Sequence, residues 1–163
     1  MEVFLLKEAQ VKMKINRWAT FAALVLAFIG ALIALSGSWL VFVEQAQFQG
    51  ARIWPLPGFA LVDWAIMGTL GFLGVLFSYR PNGSAWLKAI WFVVGALMPL
   101  VVLGAFSIGL FVLISLLFIL ASSIIISIQK KSKWLWHLVL LMVGVICNLG
   151  LFLLFIAFSK LSA

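Results

Sequence analysis

Charge is scarce in this sequence: 9% of its 163 residues are Asp, Glu, Lys or Arg, against about 25% in a soluble domain. Only four residues are acidic, and Asp63 alone among them lies within a long apolar run. A pair of carboxylates buried in a membrane for acid and base work is thereby excluded. Cysteine occurs once, as Cys147, so one chain can build no intrachain disulfide, no dithiol redox pair and no cysteine-based zinc site. Histidine also occurs once, as His137, which excludes two axial imidazoles for a haem and any multi-histidine metal site. The sequence holds no HExxH, no histidine beside a nucleophile and no glycine-rich phosphate loop. No bound metal, no cofactor and no enzymatic activity are expected.

What is abundant is apolar surface, with 66% hydrophobic residues and a mean hydropathy of +1.29. A soluble domain has about 45 to 50% apolar residues, so the divisor for this length is the roughly 20 apolar residues needed to cross a bilayer. The net charge is +7, yet the basic residues sit in short tracts beside apolar runs and form no extended stripe. They read as topology and lipid-headgroup charges rather than a nucleic-acid surface.

A basic segment over 1–18 precedes a first uncharged run over 19–43. A secretory signal competes with this reading, but the run exceeds the ~7 to 15 residues of a signal core. Residues 44–58 carry Glu44, three glutamines, Arg52, Trp54, Pro55 and Pro57 and read as a loop, since two prolines two apart forbid a continuous helix there. The second pass covers 59–79, and Arg80, Pro81, Asn82 and Gly83 form a turn. The stretch 85–128 would be about 66 Å long as one helix, about twice the hydrocarbon thickness. Gly104 and Gly109, bracketing Ser107, mark the break and divide it into passes over 85–104 and 109–128. The fifth pass covers 134–158. The expected fold is an all-α polytopic membrane bundle of five transmembrane helices, as a single membrane domain.

The distribution of basic residues supports that division independently. With five passes, nine of the eleven lysines and arginines share one side, and only Arg52 and Lys160 fall on the other. Merging 85–128 into one pass would move the Lys130 to Lys133 cluster outside and make the split seven against four. The N-terminus is accordingly expected in the cytoplasm and the C-terminus outside. Tryptophans form two interfacial belts in the same arrangement, Trp18, Trp86, Trp134 and Trp136 inside and Trp39, Trp54 and Trp64 outside. Trp91 alone lies deeper than either belt.

Asp63 is the candidate ligand or ion site, because an ionisable group inside a membrane is costly unless used. Its position five residues after Gly58 also suits an interfacial anchor or a partner for Arg52. Gly68, Gly71 and Gly74 recur every three residues, the small-residue spacing that lets helices approach closely. His137 and Asn148 share a face of the fifth pass and are candidate polar packing residues. His137 is expected to be solvated or in contact with headgroups beside Lys130, Lys131 and Lys133, and Asn148 to bond a serine of the fourth pass: Ser115, Ser122, Ser123 or Ser127. Lys130, Lys131 and Lys133 are expected to attract anionic lipid. Pro99 should kink the third pass.

These features point to a small non-catalytic subunit or assembly protein, in contact with the lipid bilayer and packed against other membrane proteins or another copy of itself. The alternative is an oligomeric transporter or channel component with an outer vestibule at Asp63 and Arg52. The odd number of passes disfavours two equal inverted halves. Compact loops make a bacterial plasma membrane the expected location.

Overall fold

The structure, a computed structural model, describes the backbone of residues 2–49, 58–81, 83–104 and 108–161, and the side chains of 17–47, 58–81, 83–104 and 108–158. Five helices and no strands occur among the described residues: α1 (Glu2–Gln49), α2 (Gly58–Ser78), α3 (Ser84–Leu103), α4 (Gly109–Gln129) and α5 (Trp134–Leu161). Each contains a segment long and apolar enough to cross a membrane, the first being Arg17–Gln47. Four of the five helices match the expected passes to within a residue or two, α5 running a few residues further, but α1 does not stop at 43. It runs on to Gln49 and is also helical through the basic segment from Glu2. Polarity was mistaken for helix breaking there. Glu, Gln and Ala are strong helix formers, and nothing before Pro55 removes a backbone donor. Residues 50–57, including Arg52, Trp54, Pro55 and Pro57, lie outside the described residues, as do Asn82 and residues 105–107.

α3 is the hub, packing against α2, α4 and α5, while α1 lies in the groove between α2 and α4. α5 rests on α3 at the opposite margin. The core between them is filled by Leu61, Trp64, Ile90, Leu97, Leu100, Ile119 and Ile126, all fully buried. α4 supplies a buried polar line, Ser115, Ser122, Ser123 and Ser127. The Ser115 hydroxyl donates to the Gly30 carbonyl of α1 at 2.8 Å, while the other three return to carbonyls of α4 itself.

Five contacts between helices, at glycines of α2, α3 and α5, depend on the absence of a side chain. Gly68, Gly71 and Gly74 do not share a single neighbour: they meet Ala34 of α1, Ile119 of α4 and Ile90 of α3 in turn. The closest approach is between α3 and α5, where a β-carbon on Gly95 would fall on the Leu141 carbonyl and one on Gly144 on the Phe92 carbonyl. Each helix uses a glycine to admit the other's backbone, as membrane helices must when no hydrophobic drive separates them from lipid.

α4 ends in a motif that satisfies its last carbonyls. The Ser132 amide donates to the Ser127 carbonyl at 3.1 Å and the Lys131 amide to the Ile128 carbonyl at 3.2 Å. The motif places a left-handed residue between them, which is usually glycine. Here it is Lys131, with φ of 48°. A side chain in that region costs roughly 1 to 2 kcal/mol. Lys131→Gly is therefore expected to stabilise the chain by about 1 kcal/mol, read as a raised thermal midpoint in detergent. An unchanged or lowered midpoint would show that Lys131 makes compensating contacts.

Candidate functional site

Two polar sites lie in the bundle, at opposite ends. The first forms because α2 starts near the level at which the Gly95 and Gly144 pair draws α5 onto α3. Asn148 lies one helical turn beyond Gly144 and is almost fully buried. Its Nδ2 donates to Asp63 Oδ2 at 2.9 Å and to the Ala96 carbonyl at 2.6 Å. Both acceptors meet the same nitrogen, which fixes the orientation of the amide. Ala96 stands three residues before Pro99, which lies inside α3 and disturbs the preceding turn. The carbonyl that loses its amide partner to Pro99 is that of Gly95, one residue before the Ala96 carbonyl that Asn148 serves. Asn148 Oδ1 has no partner among the described residues.

This corrects the expectation that Asn148 would bond a serine of α4. Those serines bond α1, α3 or their own helix, and α5 packs on α3 instead. Asp63 is also buried at 7% exposure rather than held at an open interface. A cleft of about 300 Å³ between α1 and α2 is lined by Leu35, Trp39, Phe42, Leu61, Val62 and Ala65 together with Ser38, so it is almost wholly apolar. Asp63 does not line it. Arg52, its expected companion, lies outside the described residues.

The second site lies at the basic end of the bundle, where α2 and α4 finish and α3 and α5 begin. Its depth is set by Trp91, the tryptophan that fitted neither belt. Trp91 Nε1 donates to Ser127 Oγ at 3.0 Å. Its ring stacks on His137 with centroids 4.9 Å apart and planes 16° from parallel, and Trp134 closes edge-on against both. His137 is thereby only 1% exposed, which corrects the expectation of a solvated residue. Neither of its ring nitrogens has a hydrogen-bond partner among the described residues. Beside it opens a cavity of about 260 Å³, lined by Ser84, Leu87, Lys88, Lys130, Ser132, Lys133, Trp136 and His137. Lys130 Nζ also donates to the Ser78 carbonyl at the end of α2. Lys131 is not among the lining residues.

Sequence reasoning missed Ser84 and Lys88 as companions of the later lysines. The only signal was their place at the start of the third pass, on the side shared with Lys130 to Lys133. No group of three or more His, Cys, Asp or Glu able to hold a metal occurs among the described residues. No family model, curated protein or solved structure matches this chain.

Proposed function

We propose that this chain is a small non-catalytic membrane subunit that docks against another membrane protein or another copy of itself through α5. The observation that carries this reading is how little of α5 its own chain covers. Within the spanning segment only His137, Gly144, Asn148 and Phe152 are buried, a single narrow seam against α3 and α2. The rest of the helix presents Leu138, Met142, Ile146, Leu149 and Leu153 outward. Gly150 stands in that outward region with nothing within 4 Å of the place a β-carbon would take, a notch of the kind that lets a second helix approach. On the distribution of basic residues, the end bearing Lys88 and Lys130 to Lys133 faces the cytoplasm, and a bacterial plasma membrane suits the compact loops.

The test is site-specific photocrosslinking in native membranes from Leu138, Ile146 and Leu153, with Phe111 on α4 as an outward-facing control. A discrete heavier species of fixed mass from the α5 positions alone is the expected result. Labelling of lipid only, from all positions alike, would sink the proposal.

A further inference from the structure

The cavity at the basic end has the chemistry of an anion site, and its parts come from three places in the chain. α3 contributes Ser84 and Lys88 from its first turns, the α4 end contributes Lys130, and the α4–α5 turn with the start of α5 contributes Ser132, Lys133, Trp136 and His137. Two helices begin at its wall, and the positive ends of their dipoles favour negative charge. Lysine clusters and helix starts are common at membrane surfaces and would not by themselves make a site. What distinguishes this place is His137. A buried polar group without a partner costs about 1 to 3 kcal/mol, and His137, which lines the cavity, carries two such nitrogens, both closed to water and unpartnered among the described residues. Its ring is held in plane by the stack on Trp91, which is itself fixed through Ser127. A fixed imidazole in the wall of a lysine-lined cavity, its nitrogens unserved by the described residues, has a ring N–H to give to an acceptor that enters beside it.

Among the described residues nothing cancels the charge of the site from within. The described acidic side chains are Glu44 and Asp63, and Asp63 stands fifteen residues along α2 from Ser78, about 22 Å from the lysine end. Lys130 spends one donor on the Ser78 carbonyl, and an ammonium group has three. Exposed Trp136 lines the cavity, and Trp86 and Trp134 are exposed at the same end of the bundle, tryptophan being the residue that marks the headgroup level of a bilayer.

We propose that this cavity binds the phosphate of an anionic ligand, with Lys88, Lys130 and Lys133 supplying charge, Ser84 and Ser132 hydroxyl donors, and His137 a ring N–H. A phosphodiester headgroup and free inorganic phosphate share that chemistry, and the tryptophan belt favours the headgroup. The site is independent of docking through α5: a chain that binds no partner protein would still bind the anion.

The experiment is native mass spectrometry of the full chain purified in mild detergent, titrated with phosphatidylglycerol, phosphatidylcholine or inorganic phosphate. One tightly held copy of phosphatidylglycerol is expected, bound about tenfold more tightly than phosphatidylcholine. Lys88→Gln and Lys133→Gln, both at exposed positions that do not threaten the fold, should each weaken it about fivefold, the equivalent of about 1 kcal/mol per charge. Lys131→Gln removes the same charge from the same cluster but outside the cavity, and should change binding less than about twofold. His137→Phe keeps the stack on Trp91 and should also weaken binding, with the lipid-free thermal midpoint showing that the fold is kept. Displacement of the lipid by inorganic phosphate would support the site and assign it to the free anion. Equal binding of the two lipids, or a Lys131→Gln loss as large as that of Lys133→Gln, would overturn it in favour of diffuse surface charge.

Discussion

Valine in place of Gly95 is expected to prise α5 from α3 and to lower stability by about 3 kcal/mol, the upper end for overpacking. The atom in the way is the Leu141 carbonyl, a backbone group of a helix that cannot change rotamer to make room. Gly144→Val should do the same from the other side, against the Phe92 carbonyl. Because both changes break one seam, the double variant is expected to cost less than the sum of the two. Gly150→Val is the internal control. It lies on the same helix in open space and should leave the thermal midpoint of the purified chain unchanged, while impairing partner crosslinking if α5 docks as proposed. All three are read by thermal unfolding in detergent with tryptophan fluorescence. A wild-type midpoint for Gly95→Val would mean that α3 and α5 do not approach as closely as described.

That seam explains what the sequence could and could not yield. The five spans are legible because the hydrocarbon thickness fixes a length and the lysines and arginines mark the ends, neither of which requires knowing what packs against what. The end of α1 was misplaced at 43 for a related reason: leaving the apolar layer and leaving the helix are different events, and Glu44 to Gln49 do the first without the second. Gly68, Gly71 and Gly74 announced close packing from spacing alone. Their three different neighbours follow from the handedness of the bundle, which one-dimensional spacing does not encode.

The candidate site was legible in its members and illegible in its groupings. Asp63, His137 and Asn148 stand out in an apolar chain by their rarity. Each was assigned surroundings from its neighbours in sequence, so His137 was placed in solvent with the adjacent lysines and Asn148 beside the serines of α4. Burial of His137 depends on Trp91, 46 positions earlier, and the Asp63 to Asn148 pairing spans 85 positions. Both depend on α5 lying against α3 rather than α4, a choice made by Gly95 and Gly144.

The second large effect is expected at that pairing, and it separates a structural lock from a transport site. Asn148→Leu leaves Asp63 and the Ala96 carbonyl buried without their donor. Stranding a buried charge costs about 3 to 5 kcal/mol, and about 1 to 3 kcal/mol if the carboxyl is neutral. Asp63→Leu alone leaves only an amide hydrogen unserved and should cost less. The double variant, Asp63→Leu with Asn148→Leu, removes donor and acceptor together and should recover most of the loss, because replacing both partners by apolar groups can be nearly neutral. Non-additivity of about 1 to 3 kcal/mol in this cycle, measured by denaturation in detergent, is the expected signature of direct coupling; additivity within about 0.5 kcal/mol would show that the pair does not bond. Asp63→Asn then isolates function from fold. Its amide oxygen can still accept from Asn148, so the cost should stay near the 0.6 kcal/mol average for hydrogen bonds between membrane helices, about 1.7 kcal/mol at most. Unchanged assembly with unchanged solute flux in vesicles is the outcome that follows from a carboxylate closed against Asn148. Lost flux with assembly intact would instead make Asp63 an ion site and move the function of the chain to transport.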